Sequence, residues 1–410
     1  MMMDSQKNYL LTIAIPTKNR QIYACDAVRQ ILAISPDIQI VITDNSDDRS
    51  LERMLKQIGP NEQIKYYYIE ETIPGVRNYD LAASLAEGEY FCSIGDDDGV
   101  LPAIYDCVRW MKKCGVDAVM PSRNSNYVWP YVDPETGRKK GGRLYIGEFS
   151  GRVEKVDPMI GLISLLEGGG QNFPIYHMAG SYHCVVSMRC MDKVKEKTGC
   201  YYGGLSPDIY SASCLSLLPD LCFYTMDYPL TIPGACPMSS TAQSARGEHV
   251  GKLETAPHLK GMKSYDWDAV IPRYYSVQSI WAETLLTGVR AMGRDDLIEK
   301  HFDTKKLCEA MWKENPNKRE EIEESFRSMV GPDQILLWKR EEQMINAKRA
   351  VIKFLKHVKS GLRILQKKRA VYNTLTTCSQ ATATLSAYFK NRKETAVWQQ
   401  AMQTISKEAK

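Results

Sequence analysis

The stretch LLTIAIPTKNRQIYACDAVRQILAISPDIQIVITDNS, residues 10–46, decides the fold class of this chain. Residues 10–15 and 39–43 are short apolar runs with β-branched side chains, and each ends at polar or turn-forming residues. Between them, apolar residues recur at helical spacing over residues 23–34. Short apolar runs of this kind are typical of buried strands, and the periodic segment is typical of an amphipathic helix. The stretch therefore predicts a β-α-β unit.

The same alternation continues to the end of the first hundred residues. Helical patterns at residues 51–58 and 76–86 flank a strand pattern at residues 65–69, and a further strand pattern covers residues 90–94. Alternating strands and helices predict an α/β fold with a mainly parallel central sheet, and such sheets bind ligands at the carboxyl ends of their strands. Polar clusters follow three of these strands, at residues 16–20, 44–47 and 96–98. We expect the three clusters to meet at one edge of the sheet.

The third cluster, Asp96-Asp97-Asp98, places three carboxylates side by side directly after a strand. Like charges this close repel each other, so the cluster needs a compensating cation. In an extended turn Asp96 and Asp98 point to the same side, and carboxylate oxygens are ligands that suit Mg²⁺ or Mn²⁺, which also bridge to phosphates. The cluster indicates a site for a metal ion and a diphosphate. The alternative is a solvated acidic turn, because Asp and Gly are common turn residues.

The composition is that of a globular chain. With 410 residues, 44% of them hydrophobic and 25% charged, the chain has room for one large catalytic domain and an appendage, or for two domains. The N-terminus lacks the pattern of a secretory signal and no run of eighteen apolar residues occurs, so we expect a cytoplasmic protein without a spanning helix. The 12 cysteines include no C-x-x-C pair, which argues against a zinc site and a disulfide framework. Glycine-rich phosphate-binding motifs are also missing, so a nucleotide would be held through metal and side chains.

Several segments, taken in order along the chain, resemble a known family. They are Ile15-Pro16-Thr17-Lys18-Asn19-Arg20, Val41-Ile42-Thr43-Asp44-Asn45-Ser46, Gly75-Val76-Arg77-Asn78, and Ala86-Glu87-Gly88-Glu89-Tyr90 followed by the Asp cluster. The ordered set resembles the family 2 glycosyltransferases, whose nucleotide-sugar-binding domain has the GT-A fold, over about residues 9–235. The resemblance implies transfer of a sugar from a nucleoside-diphosphate sugar, with UDP-sugars as the first expected donors.

The resemblance also implies roles for individual positions. Asp44 would accept hydrogen bonds from the base, Arg77 would contact the nucleotide, and Asp96 and Asp98 would form a D-x-D motif that binds Mn²⁺ or Mg²⁺. The implied donor-binding residues are Pro16, Thr17, Asn19, Arg20, Asp44, Arg77, Asp96 and Asp97. One departure is that Tyr79-Asp80 stands where the family pattern has a glycine, which bears on the local loop around Arg77.

Each of these residues also has a structural explanation. Thr17 and Asn19 could cap the first helix, because short polar side chains accept hydrogen bonds from free helical amides. Asp44 could close a turn with Asn45 or cap the helix that follows. Arg77 could be a solvated helix residue. The functional interpretation rests on the four segments occurring together.

An inverting transfer also needs a general base that takes the proton from the acceptor hydroxyl. The segment Gly203–Tyr210 resembles the family's stretch that carries this base, which implies Asp208 as the catalytic residue. The local pattern also predicts a helix start, with Ser206 as N-cap, Pro207 at the first helical position and Asp208 beside the positive end of the helix dipole. Asp208 therefore has a structural explanation as well as a catalytic one.

Three further segments are candidates for the site. Residues 239–249 are poor in apolar side chains and suit a loop that orders over the donor; there His249 is a candidate third metal ligand and Arg246 a candidate diphosphate contact, with an inert surface loop as the alternative. His183 could touch the acceptor or be a packed, hydrogen-bonded residue. Gly168-Gly169-Gly170 predicts a flexible loop.

The C-terminal third has a different character. Residues 266–324 have helical patterns and predict an accessory helical layer, with an aromatic sugar-binding surface as a weaker interpretation. Residues 343–393 contain no acidic residue, and nine lysines and arginines fall in residues 348–369 around an apolar stripe. That pattern predicts a basic amphipathic helix for an anionic membrane surface, or a coiled-coil or docking seam that would make a homo-oligomer. The net charge is only +4 and no nucleic-acid motif occurs, so no nucleic-acid partner is expected.

These features together predict three regions: a GT-A catalytic domain (1–236), a loop and helical accessory region (237–330) and a basic helical tail (331–410). The hypothesis is an inverting, metal-dependent glycosyltransferase on the inner face of the cell membrane that acts on a glycan or lipid-linked glycan. Two rival hypotheses are a sugar-nucleotide nucleotidyltransferase and a non-catalytic membrane-bound scaffold in glycan assembly.

Overall fold

The computed structural model describes residues 9–262, 264–344 and 370–408. The described strands are β1 (Leu11–Thr17), β2 (Ile38–Asp44), β3 (Ile64–Tyr68), β4 (Tyr90–Ser93), β5 (Gly99–Val100), β6 (Ala118–Pro121), β7 (Asn126–Val128), β8 (Tyr131–Val132), β9 (Lys139–Lys140), β10 (Arg143–Ile146), β11 (Val153–Lys155), β12 (Val185–Ser187), β13 (Phe223–Met226), β14 (Thr231–Ile232), β15 (Gly234–Ala235), β16 (Val250–Gly251), β17 (Tyr275–Ser276) and β18 (Ala370–Tyr372). The described helices are α1 (Gln21–Leu32), α2 (Ser50–Lys56), α3 (Gly75–Ser84), α4 (Ala103–Cys114), α5 (Pro158–Glu167), α6 (Met188–Thr198), α7 (Pro207–Ser216), α8 (Ser240–Ala245), α9 (Val277–Ala291), α10 (Asp295–His301), α11 (Thr304–Glu314), α12 (Arg319–Val330), α13 (332–344), α14 (Cys378–Asn391) and α15 (Glu394–Glu408).

An eight-stranded sheet forms the centre, with the strand order β11-β13-β6-β12-β4-β1-β2-β3. β1 is parallel to β2 and β4, β2 is parallel to β3, and β6 is parallel to β13, whereas β11 and β12 are antiparallel to their neighbours. Every residue of β1 and β2 is buried, as expected of strands covered by helices on both faces. The prediction of an α/β fold with a mainly parallel sheet is confirmed.

The C-terminal residues 370–408 pack onto this central layer. β18 pairs with β10, α14 packs against α1 and β5, and α15 packs against α4. The Trp398 ring is fully buried and stacks on Tyr228, with 4.6 Å between ring centroids and 9° between ring planes. On α14, the Ser379 hydroxyl donates to Asp26 on α1, at 2.7 Å from Oδ1. The apolar core of the sheet is therefore completed by the last forty residues.

The boundaries 1–236, 237–330 and 331–410 stay predictions. The contacts of α14 and α15 show that residues 370–408 share one core with the strands of the first region. The predicted basic amphipathic helix, residues 348–369, lies outside the described residues. In the parts of the chain that are described, no helix combines the length and the hydrophobicity needed to cross a bilayer.

A second core lies around α5, α7 and the helices from α9 to α13. The helical pattern predicted from residue 266 begins later, at Val277, because residues 264–274 form no regular helix. The prediction of a flexible loop at Gly168–Gly170 is wrong. Gly169 and Gly170 are buried with φ of 66° and 76°, and a Cβ on them would lie 2.5 Å from Leu307 N and 2.8 Å from Ala282 Cα. These glycines allow α5 to end against α9 and α11.

Candidate active site

The three polar clusters predicted at the strand ends meet at one edge of the sheet. The Thr17 hydroxyl, at the end of β1, donates to Asp96 Oδ2 at 2.5 Å. The Asn19 backbone N–H donates to Ser46 Oγ, beyond the end of β2, at 2.7 Å. Asn78 on α3 donates its side-chain N–H to the Thr17 carbonyl at 3.3 Å. The parallel order of β1, β2 and β4 thus brings residues far apart in sequence into one hydrogen-bonded network.

The structure tests the capping and turn explanations for Thr17, Asn19 and Asp44. The N-cap of α1 is Arg20, without a side-chain cap, so neither Thr17 nor Asn19 caps that helix. Asn19 has a φ of 57° and exchanges hydrogen bonds with Asp47. Asp44 is fully buried, and it does close a turn, because its Oδ1 accepts from Ser46 N at 2.9 Å. Its Oδ2 accepts from the Tyr66 hydroxyl, also at 2.9 Å.

The remaining predicted donor residues differ in exposure. Pro16 is buried within β1. Arg77 is exposed in the first turn of α3, next to Gly75 and Val76, which line the main cavity. Arg246 is exposed after α8, where its Nε pairs with Glu248 Oε1 at 2.5 Å and its Nη1 donates to the Pro237 carbonyl at 2.9 Å. Arg77 is therefore free to reach solvent near the cavity, whereas Arg246 is held by its own loop.

The Asp cluster is buried around a single guanidinium. Arg20 Nε lies 2.9 Å from Asp96 Oδ1, and Arg20 Nη1 lies 3.5 Å from Asp97 Oδ1. The N–H of Arg20 does not point at Asp96 Oδ1, so this oxygen is buried without a well-directed hydrogen bond. Burial raises the pKa of the Asp96 and Asp97 carboxyls, and the positive charge of Arg20 opposes the rise. The alternative of a solvated acidic turn is wrong.

Asp98 faces away from Arg20 and toward a different set of donors. Its Oδ2 accepts from Gly95 N at 2.6 Å and from the Tyr182 hydroxyl at 3.2 Å, and His183 Nε2 lies 3.1 Å from the same oxygen. Its Oδ1 accepts from Gly234 N at 2.7 Å. The other nitrogen of His183, Nδ1, lies 2.8 Å from the Thr231 hydroxyl. Asp98 therefore joins the strand end to the loop that enters β12.

A cavity of about 780 Å³ lies beside this cluster and contains Asp208 in its lining. Tyr182 lines the cavity and donates to Asp98, so the Asp cluster and Asp208 are connected through one side chain. Asp208 is half-buried in the first turn of α7. Ser206 stands at the N-cap position with Pro207 next, as predicted, but its hydroxyl donates to Asp208 Oδ1 instead of capping the helix. Ile209 N donates to the same oxygen at 2.9 Å.

Another part of the cavity lining comes from the segment after β15. His249 is buried there, with its ring centroid 5.5 Å from that of His258, and His258 Nδ1 lies 3.0 Å from the Tyr275 hydroxyl. β16 and β17 pair and hold this group together. Residues 239–249, predicted as a loop, contain the short helix α8. His249 therefore lies on the cavity that contains Asp208.

The region with the Asp cluster matches a known family. Residues 12–151 match the family model described as Glycosyl transferase family 2. Residues 12–151 are thus similar to the family 2 glycosyltransferases. No curated protein matches the chain. Solved structures to which the chain is similar include S. aureus TarS 1–349 in complex with UDP-GlcNAc, with 11% identity and a TM-score of 0.41 over 97% of this chain and 92% of that one. A second is S. aureus TarS, with 12% identity and a TM-score of 0.39. That match covers 77% of this chain and 55% of the TarS chain.

The departure from the family pattern at Tyr79-Asp80 has a structural explanation. The Tyr79 ring lines the cavity and packs edge-on against Tyr182 and Tyr202, at centroid distances of 6.3 Å and 5.8 Å. Asp80 Oδ1 accepts from the backbone N–H groups of Tyr201 and Tyr202, at 2.7 Å and 3.1 Å. The two side chains therefore fix the floor of the cavity and the segment that precedes α7.

Tyr182 was not assigned to the site from the sequence, and His183 was predicted only as an acceptor contact or as a packed, hydrogen-bonded residue. Tyr182 and His183 contact Asp98 from a segment 84 positions along the chain. Sequence spacing gave no sign of these contacts, because they depend on β12 lying next to β4 in the sheet. The backbone φ of 55° at His183 is a further sign of a constrained position, since residues other than glycine rarely adopt it.

The surroundings of the buried carboxylates bear on whether a divalent cation fits there. Two of them, Asp96 and Asp97, share the guanidinium of Arg20, and Asp96 Oδ1 lacks a directed hydrogen bond. Within the described residues, no group of three or more His, Cys, Asp and Glu side chains is arranged to hold a metal ion. Mg²⁺ sites often need only one or two carboxylates, because substrate phosphates and waters complete the shell. The predicted set of Asp96, Asp98 and His249 therefore stays a prediction; His249 lines the cavity, and Asp98 is joined to it through Tyr182.

Gly234 is expected to be intolerant of any side chain. A Cβ at this position would lie 1.8 Å from the Asp97 carbonyl oxygen, and the Gly234 N–H is the donor to Asp98 Oδ1. We expect Gly234→Ala to lower the free energy of unfolding by about 1–3 kcal/mol, because the strand must move away from the Asp cluster. Gly251→Ala is the control, since nothing lies within 4 Å of a Cβ there. Thermal melting of both variants checks this expectation, and equal melting temperatures would contradict it.

Proposed function

We propose that this chain is an inverting glycosyltransferase that moves a sugar from a nucleoside-diphosphate sugar to an acceptor hydroxyl. The observation that carries the proposal is the cavity that contains Asp208 and that is connected, through Tyr182, to Asp98. The family match covers the part of the chain with the Asp cluster and gives the reaction class. Asp208 lies outside the matched residues, so its role is argued from its position and its hydrogen bonds.

The geometry of Asp208 suits a general base. Both hydrogen bonds to its carboxylate, from Ser206 and Ile209, go to Oδ1. Among the described residues no donor contacts Oδ2, so that oxygen is available for a proton. In the proposed step the acceptor oxygen attacks the anomeric carbon, the Asp208 carboxylate takes the hydroxyl proton, and the bond from that carbon to the diphosphate breaks with its electron pair on the diphosphate. Attack opposite the leaving group inverts the anomeric configuration.

We further propose that the donor diphosphate lies between the Asp cluster and the start of α3. Gly75 and Val76 open this helix at the cavity, and free N–H groups at a helix N-terminus favour anions. Arg77 adds a positive charge in the same turn. A divalent cation, Mn²⁺ or Mg²⁺, would be held by Asp98 and the diphosphate and would supply Lewis-acid stabilisation of the leaving group. Thr17, Asn19 and Asp44 would lie on the nucleoside side.

The acceptor is proposed to be a glycan in the assembly of a cell-surface polysaccharide or glycolipid. Residues 343–393 carry basic side chains without any acidic residue, which suits an anionic membrane surface on the cytoplasmic side. A glycan on a lipid carrier would then lie close to the enzyme.

Release of nucleoside diphosphate from a panel of UDP-, GDP- and dTDP-sugars tests the proposed function. We expect release from one donor class, dependent on Mn²⁺ or Mg²⁺ and at least about tenfold lower in Asp98→Asn, because the neutral amide gives up the charge that the cation and diphosphate need. Asp227→Asn is the matched control, a buried carboxylate that accepts from Ser150 on another face. Release that is the same in Asp98→Asn, or that needs no metal ion, would contradict the assigned role of Asp98. Absence of release with every donor would contradict the function itself.

A further inference from the structure

We infer that the cavity wall built after β15 binds an acceptor that is an uncharged carbohydrate, held on aromatic faces. The inference rests on the proposed function and names the substrate class of the same site. Its basis is a difference between two groups of lining residues. One group is the start of α3 with Tyr182, which donates to Asp98, and the other is His249, His258, Tyr275 and Trp281.

The first observation is the charge of the lining. Among the described residues that line the cavity there is no lysine or arginine, and Asp208 is the one carboxylate. The two imidazoles of the lining, His249 and His258, pack edge-on against each other with 5.5 Å between ring centroids. A phosphorylated acceptor here would lose hydration, meet the Asp208 carboxylate and find no lysine or arginine in return. The lining therefore disfavours anionic acceptors.

The second observation is the aromatic and hydroxyl content of the same wall. Trp281 and Tyr275 line the cavity at the start of α9, beside the hydroxyls of Ser240 and Ser244 on α8. Aromatic rings supply flat apolar surface, and hydroxyls, imidazoles and phenols supply the few polar groups that orient a ligand. The nonpolar faces and hydroxyl rims of a sugar ring match this combination.

The third observation separates binding residues from packing residues among the aromatic side chains of this region. Trp267 and Trp312 are buried in the second core and do not line the cavity, so they stabilise the fold. Trp281 is half-buried and lines the cavity. Among the aromatic residues of the segment 266–324, Trp281 and Tyr275 are thus the two that line the cavity.

The wall is also close to the chemistry that the acceptor must reach. Asp208 and Trp281 line the same cavity, and α7 packs along α9, where a Cβ on Gly288 would lie 2.9 Å from Ser213 Cβ. An acceptor ring on Trp281 would therefore be held by the helix that adjoins the helix of the proposed base. Rigid attachment of this kind favours a defined orientation of the attacking hydroxyl.

The test measures nucleoside-diphosphate release at saturating donor with two matched acceptor sets, p-nitrophenyl mono- and disaccharides and their 6-phosphates. We expect the neutral glycosides to accelerate release and the phosphorylated ones to do so at least about tenfold less. Trp281→Ala is expected to raise the acceptor KM about tenfold with the donor KM unchanged, and Trp281→Phe to restore most of the affinity. Val270→Ala, exposed in the preceding segment and not in the lining, is the control.

A charge placed in the wall provides the opposite test. Ser244 is exposed and lines the cavity, so Ser244→Arg puts a guanidinium on the acceptor side. We expect this variant to lower the KM for phosphorylated glycosides and not for neutral ones. Faster release with phosphorylated than with neutral acceptors in the unmodified protein would overturn the inference, as would an unchanged acceptor KM in Trp281→Ala. Failure of the protein to bind any donor would overturn the proposed function as well as this inference. The donor KM from the same assay shows which of the two has failed.

Discussion

Asp208→Asn is expected to lower kcat for transfer by about 10²–10⁴-fold, the usual contribution of a positioned general base. The amide keeps an oxygen for the hydrogen bonds from Ser206 and Ile209, but it cannot take the acceptor proton. Donor affinity should change little, because the diphosphate is proposed to lie on the side of Asp98 and α3. Steady-state kinetics together with calorimetric titration of the donor measure the two quantities separately.

The control for Asp208 must account for its place in a helix. An acidic residue in the first turn stabilises a helix by about 0.3–1 kcal/mol, so part of any effect can come from the fold. Asp106 is likewise an acidic residue in the first turn of a helix, α4, and lies outside the cavity lining. Asp106→Asn should match Asp208→Asn in thermal stability and keep full activity. Normal transfer by Asp208→Asn would contradict the proposed role of Asp208 as the general base.

Trp398→Ala is expected to lower the free energy of unfolding by about 3–5 kcal/mol. The ring is fully buried, stacks on Tyr228 and belongs to the core of the central sheet, so its removal leaves a large cavity between α15 and that core. Chemical denaturation with a two-state fit gives the value. Val397→Ala is the neighbouring control, because Val397 is 50% exposed on the same helix.

The outcome for Trp398 bears on more than stability. If α15 were an independent appendage, Trp398→Ala would leave the main unfolding transition unchanged and produce a separate early one. A single transition at lower denaturant is expected instead. The active site should be affected too, because Gly99, next to Asp98, packs closely against α14. A Cβ on Gly99 would lie 2.6 Å from Thr382 Cγ2 and 2.7 Å from Cys378 Sγ, both on α14.

Local patterns in the sequence predicted the first half of the sheet well. The apolar runs of β1 and β2 and the periodic segment of α1 differ from the structure by only a few residues at their ends. The convergence of Thr17, Asn19 and Asp96 followed from the parallel order alone. These features depend on side-chain periodicity and on one rule of sheet topology, so they can be read from a single chain.

Contacts between distant segments could not be predicted in this way. The hydrogen bonds that the Tyr201 and Tyr202 amides donate to Asp80 span 121 and 122 residues, and the hydrogen bond from Trp110 Nε1 to the Met402 carbonyl spans 292. The glycines at 169 and 170 looked like a flexible loop, because their close contacts with α9 and α11 come from other helices. Exposure of Arg77 and pairing of Arg246 with Glu248 likewise depend on neighbours in space.

Binding of nucleoside diphosphates is the most direct test of the proposed donor site. Thermal shift of the full chain is measured with UDP, GDP and dTDP, each with and without Mn²⁺ or Mg²⁺, for the unmodified protein, Asp98→Asn and the Asp227→Asn control. The account predicts that one nucleotide raises the melting temperature in the presence of metal, that Asp227→Asn keeps this stabilisation, and that Asp98→Asn loses it. Absence of stabilisation by every nucleotide, or an equal stabilisation of Asp98→Asn, would contradict the account.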